Sequence, residues 1–284
     1  MSANDRILVT LDGSPAAYTA ARAAIQIAQA RSLSIYGLFI IDEALLLNPY
    51  ADFGRELGGM NDDLSRDHLL AIFKARGSKV LLNLEEQCRV ANVPVQAELL
   101  LGGVTELILR EAEQSEMLSL GRRGGTDHQQ SDHLGHNFRY IAHHARCPII
   151  VGGDARCGSM KRLLFAYDDD GHGRCAEERA VEWAVLLQRA LPSDVLVLAM
   201  QHQDERPLRW ETGIKACLNR GGLQNYNLVI RTGVTASAIT GVSITHHADL
   251  IIMARYPHHA FLEWLTGSTA DTILRNSPLP VLMI

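Results

Sequence analysis

The sequence predicts an α/β protein made of two open parallel-sheet domains related by internal duplication. Three observations predict it. Short apolar runs alternate with helical patterns along the chain, four segments of the first half recur in order in the second, and 284 residues with 47% hydrophobic content supply two cores.

The first repeated pair is Arg6 to Asp12 (RILVTLD) and Arg162 to Asp168 (RLLFAYD), each an apolar run ending in Asp, as a buried parallel strand would. Helical patterns follow at Pro15 to Arg31 and Cys175 to Ala190. Ser14 is the expected N-cap of the first, with Pro15 at its first helical position. From Asp42 to Met60 the sequence DEALLLNPYADFGRELGGM breaks any helix before a long periodic stretch from about Asp62. The second copy is shorter in this region. The insertion suits a surface loop or a lid, and its Leu45 to Leu47, Tyr50 and Phe53 would need cover, from a second chain or from the loop folding back on its own pocket.

The second pair shares Gly-Val-Thr at 103–105 and 233–235, each opening an amphipathic helix. The third is Glu116 to Gly121 (EMLSLG) with Asp249 to Ala254 (DLIIMA). The fourth is Cys147 to Val151 (CPIIV) with Leu279 to Met283 (LPVLM), where Pro stands at the strand start. Helices are expected between the third and fourth strands, at Leu134 to Ala145 and Gly267 to Asn276. These elements give domains at 1–152 and 161–284, joined by a short small-residue linker at 153–160.

A net charge of -5 and a pI near 6.2 argue against a broad grip on nucleic acid or anionic lipid. No signal-peptide pattern opens the chain, and no apolar run nears the roughly 20 residues that span a bilayer, so a cytoplasmic protein without nucleic-acid or membrane partners is expected. Five scattered cysteines, none in a Cys-x-x-Cys pair, read as reduced thiols.

In an open parallel sheet, ligands sit beyond the carboxyl ends of the strands, where Asp12 and the loop after Gly121 both arrive. That loop reads Gly121-Arg122-Arg123-Gly124-Gly125 and runs to Gly135-His136 ahead of the next helix. Glycine turns into a helix present backbone N–H groups, and the helix dipole adds roughly half a positive charge, which suits phosphate. Arg122 or Arg123 would add a charge-assisted contact.

The order of ILVTLDGS, GVTELI, GRRG and GHNFRYIAHHARCPIIV resembles the universal stress protein family, and DLIIMARYP and GSTADTILRNSPLPVLMI repeat it in the second half. The resemblance is to the tandem form, covers nearly the whole chain and implies Rossmann-like domains of the adenine nucleotide alpha hydrolase type. It also implies ATP as ligand, with Mg2+ as an optional companion, and a regulatory rather than catalytic role in stress response. Family members hold the adenosine near a strand-end Asp and a second-strand residue, and wrap the phosphates in a Gly-x-x-Gly-x9-Gly-Ser/Thr loop. Carried over, these positions are Asp12, Ile40, Gly121, Gly124 and Gly135, with Arg122 and His136 beside them.

Copy one departs from the pattern, with ten residues between Gly124 and Gly135 and His136 in place of the Ser or Thr. A histidine ring still donates. Copy two keeps Asp168, Gly267, Ser268 and Thr269 but has Ala254 and Pro257 where the early glycines belong, and proline supplies no N–H. Backbone donors are what such a loop contributes, so copy one ranks ahead of copy two as the nucleotide site. The competing expectation is an adaptor that binds no nucleotide and works through protein contacts.

His133-Leu134-Gly135-His136 matches a nucleotidylyltransferase signature, but it precedes the last helix of copy one instead of following the first strand, so no enzyme is expected. The paired histidines read as solvated or capping groups, since neighbours on a helix point about 100° apart. No metal site and no catalytic nucleophile are expected. In the family the final strand pairs with its counterpart in another domain; here 148–151 and 280–284 are expected to pair with each other, making the chain a pseudo-dimer that leaves room for further homodimerisation.

Overall fold

The computed structural model describes residues 5–47, 66–122, 134–153, 158–167, 174–200, 207–254 and 269–284. These fall into two compact units, 1–147 and 148–284. The division lies ahead of the linker expected at 153–160, because the strand that begins at Ile149 pairs with the last strand of the chain.

Unit 1 runs β1 (Arg6–Thr10), α1 (Pro15–Arg31), β2 (Ser34–Asp42), α2 (Glu43–Leu47), α3 (Arg66–Val90), β3 (Val95–Gly102), α4 (Val104–Ala112), β4 (Met117–Leu120) and α5 (His136–His144). Its strands lie in the order β3-β2-β1-β4, with β1 parallel to both neighbours and β2 parallel to β3. Ile7, Leu8 and Val9 have no exposed surface, as the continuous apolar run of a strand covered on both faces requires.

Helix α1 packs on β1 and β4 through a face of small side chains, among them Ala17, Ala20, Ala24 and Ala28. Alanine favours helix and lets backbones approach closely. The helix stops at Ser32, which takes the left-handed conformation (φ 56) and returns its N–H to the Gln29 carbonyl. Helix α3 is seated on β2 and β3 by two glycines. A β-carbon on Gly77 would lie 2.6 Å from Phe39 and 2.7 Å from Leu99, and one on Gly37 would overlap Leu84. The helix therefore approaches the sheet more closely than any larger residue allows.

Unit 2 holds β5 (Ile149–Val151), β6 (Arg162–Tyr167), α6 (Arg174–Ala190), β7 (Asp194–Met200), α7 (Pro207–Arg220), β8 (Tyr226–Arg231), α8 (Thr235–Thr245), β9 (Leu250–Met253), α9 (Thr269–Asn276) and β10 (Val281–Met283). Its order is β5-β10-β9-β6-β7-β8, parallel except where β5 runs antiparallel to β10. The duplication is visible in the registers: β6 lies between β7 and β9 as β1 lies between β2 and β4. The pairing expected of the two short Pro-led strands is present, with Val151 opposite Val281 and Ile149 opposite Met283. No helix among the described residues is long and apolar enough to cross a membrane.

Candidate functional site

The turn between β1 and α1 forms one wall of the site in unit 1. Leu11 still donates its N–H to the Leu38 carbonyl at 3.0 Å, so Asp12 is the first residue past the ladder. Its carboxylate accepts the N–H of Ser14 at 2.8 Å, a turn closed by its own side chain, and Gly13 between them has φ +85, where only glycine sits without strain. The Ser14 hydroxyl accepts from Ala17 N at 3.2 Å and caps α1, with Pro15 at the first helical position. From the side, Arg76 of α3 donates its Nη2 to the Asp12 carbonyl at 2.9 Å.

The tip of β4 forms the opposite wall. Gly121 is buried against the first turn of α1, where a β-carbon would stand 3.3 Å from Ser14 Oγ and from Ala17 N. Gly135 donates its N–H to the Arg122 carbonyl at 3.1 Å, so the two ends of the glycine loop meet. Gly135 is also the N-cap of α5 and offers no side-chain oxygen, which leaves the first-turn amides of that helix without a side-chain cap.

Between these walls lies a cleft with about 960 Å³ of empty space, counting the part open to solvent. Among the described residues its sides are mostly apolar, with Ile40, Phe39, Phe73 and Phe138 among them, and the polar side chains are Thr10, Asp12, Asp42, Arg76 and Asn137. Thr10 turns its hydroxyl to the Ser119 carbonyl at 3.0 Å. Asp42 accepts the N–H of Ala44 at 3.0 Å, just as Asp12 accepts that of Ser14, so both acids among the described lining residues are tied to the backbone two residues on.

Of the positions expected from sequence, Asp12, Ile40 and Gly121 all line this cleft. Gly135 stands at the mouth of α5, and His136 is exposed as the first residue of that helix, whose Asn137 and Phe138 reach the cleft. Of the two arginines expected to offer an anion contact, Arg123 lies outside the described residues and Arg122 is buried. Its side chain is only 1% exposed and is not among the described residues lining the cleft, and its carbonyl accepts the N–H of Gly135. Gly124, Asp168, Gly267 and Ser268 lie outside the described residues.

Thr269 opens α9 and borders a smaller cavity in unit 2, with about 460 Å³ of empty space. The strand registers align the linings of the two cavities. Tyr167 stands where unit 1 has Leu11, Met200 where it has Ile40, Met253 where it has Leu120 and Ala254 where it has Gly121. All four border the unit 2 cavity, which has no charged side chain among its described lining residues.

Sequence reasoning missed Arg76, Phe73, Leu45 and Asn137 as cleft residues. Leu45 was legible as needing cover, and it finds it in the cleft wall while Leu46 is buried beside it. Arg76 had no signal, because it reaches Asp12 from a helix far along the chain and belongs to no motif.

A profile of the Universal stress protein family matches residues 3–151 and 199–284. A curated relative, the universal stress protein Slr1230 of Synechocystis, is 25% identical over 167 residues, which cover 59% of this chain and 57% of that protein's length. A universal stress protein from Archaeoglobus fulgidus superposes with TM-score 0.72 at 17% identity, covering 99% of this chain and 97% of its own. A second solved structure, described as a putative universal stress protein from Pseudomonas aeruginosa, gives TM-score 0.65 at 16% identity over 99% and 93% of the two chains. With both halves matched by the family profile and the whole fold matched by its solved members, this chain belongs to the universal stress protein family in tandem form.

Proposed function

We propose that the chain binds an adenine nucleotide, ATP in the first instance, in the cleft of unit 1, and that it acts in the cytoplasm as a regulatory module of stress response. The observation that carries the reading is the meeting of Asp12 and Gly121 at the first turn of α1, beside a largely apolar cleft at the carboxyl ends of the strands. Ile40 and the aromatic side chains supply a surface for a flat base, and the uncapped amides of α5 supply donors for phosphate. The phosphates would run between Gly121 and Gly135, with Gly124 in the intervening loop and Mg2+ as companion ion. His136 would donate where relatives place a hydroxyl. In this reading the family domains are 1–152 and 161–284, and partner proteins respond to the nucleotide state of the first.

Unit 2 favours a different role. Its cavity has about half the empty space of the unit 1 cleft, with Tyr167 where unit 1 has Leu11 and Ala254 where it has Gly121, and its described lining carries no charged side chain, so it acts through protein contacts rather than as a second nucleotide site. Titration calorimetry with ATP, ADP and adenosine tests the proposal, alongside mass spectrometry of small molecules carried through purification. One equivalent of ATP per chain is the expected result, and absence of binding by any adenine compound overturns it.

A further inference from the structure

Arg76 is the one basic side chain among the described residues that line the unit 1 cleft, which it shares with two acids, Asp12 and Asp42. Without it the described wall would carry two negative charges, a poor surface for an anionic ligand. Its position is built in. Gly77, the next residue, brings α3 down onto Phe39 and Leu99, and the guanidinium then reaches across Gly13, with Nη2 3.3 Å from where a β-carbon on that glycine would stand. One N–H is used on the Asp12 carbonyl. A guanidinium carries five donors in a rigid fork, and among the described residues Arg76 forms no ion pair that would occupy the rest.

We infer that Arg76 sets the charge selectivity of this cleft, favouring phosphorylated over neutral nucleosides by supplying the cation that offsets Asp12 and Asp42. The inference rests on the nucleotide reading and adds a residue outside the glycine loop. The bond to the Asp12 carbonyl holds the fork in place before a ligand arrives, so less side-chain freedom is lost when phosphate binds. Being exposed, the charge is screened by salt, and its contribution falls as ionic strength rises.

Titration calorimetry of the full chain and its Arg76→Met and Arg76→Lys variants, with ATP and adenosine as the two probes, tests this directly. Arg76→Met is expected to weaken ATP at least about tenfold while adenosine changes by less than about twofold, and Arg76→Lys to recover part of the loss. In the unaltered chain, raising salt is expected to weaken ATP more than adenosine, a readout that needs no variant to fold. Equal losses for ATP and adenosine would mean that Arg76 only braces the Asp12 turn, and unchanged ATP affinity would mean that it does nothing for the ligand; either overturns the inference and leaves the nucleotide reading standing. Failure of the unaltered chain to bind either probe would sink the nucleotide reading first, and this with it.

Discussion

Gly121 lies so close to Ser14 that a β-carbon on the glycine would stand 3.3 Å from the serine hydroxyl, the same oxygen that caps α1. The tip of β4 and the start of α1 are therefore one packed unit. A neighbour must give by a few tenths of an ångström to admit a methyl group, and by much more to admit a branched side chain. Gly121→Ala is expected to cost under about 1 kcal/mol of stability and Gly121→Val about 1–3 kcal/mol. In the nucleotide reading the valine also displaces the Ser14 cap and abolishes ATP binding. Denaturant unfolding and calorimetry on the two variants check both steps, and a Gly121→Val protein that bound ATP normally would remove Gly121 from the site.

Asp12 has two roles that substitution separates. Its carboxylate closes the turn onto Ser14 N, and in the proposed complex it faces the adenosine. Asn keeps an acceptor oxygen for the turn but not the charge, whereas Ala removes both. Asp12→Ala is expected to lose about 0.5–1.5 kcal/mol from the missing hydrogen bond, with Asp12→Asn near the original stability. Both variants should bind adenosine more weakly. Retained adenosine affinity in Asp12→Ala would limit the residue to its turn.

The seat of α3 is tested at Gly77, where a β-carbon would approach Phe39 to 2.6 Å and Leu99 to 2.7 Å. Alanine favours helix by about 1 kcal/mol over glycine, but here the overlap with two core side chains outweighs it. Gly77→Ala is expected to lower the unfolding free energy by about 1–3 kcal/mol. It should also shift Arg76 away from Asp12 and weaken ATP binding. A stabilised Gly77→Ala protein would show that the helix rides higher on the sheet than described.

The fold was legible because it depends on local pattern. Apolar runs ending in Asp gave β1 and β6, Ser14-Pro15 gave the start of α1, and the matching order of segments gave the duplication. Three residues of the cleft, Asp12, Ile40 and Gly121, were legible because they lie at strand ends, which topology alone brings together. Arg76 and Phe73 were not, since which face of a long helix meets the cleft depends on how deeply α3 sits, and that is fixed by Gly37 and Gly77 through contacts far apart in sequence. The burial of Arg122 was not legible either: a basic residue beside a glycine turn reads as exposed, but its burial is decided by packing that no local pattern records.

Away from the cleft, Tyr36 of β2 gives a pH-dependent test of the unit 1 edge. Its hydroxyl donates to Glu98 at 2.8 Å, the Arg6 guanidinium lies 4.4 Å from its ring centre, and Arg6 in turn pairs with Glu111 at 2.9 Å. Burial, then the hydrogen bond to Glu98 and the charges of Glu98 and Glu111, push the phenol from its ordinary 10.0 up to about 12, against the opposing pull of Arg6. The folded chain thus holds this proton more tightly than the unfolded chain does. Its contribution to stability is complete below the unfolded value and declines as pH rises from 10 towards 12. Tyr36→Phe, which cannot ionise, should flatten that part of the stability curve and lose about 0.5–1.5 kcal/mol at neutral pH from the missing hydrogen bond. Urea unfolding of the two proteins between pH 8 and 11, with tyrosinate absorbance followed in parallel, measures both effects. Parallel curves would show that Glu98 and Tyr36 are not coupled in solution.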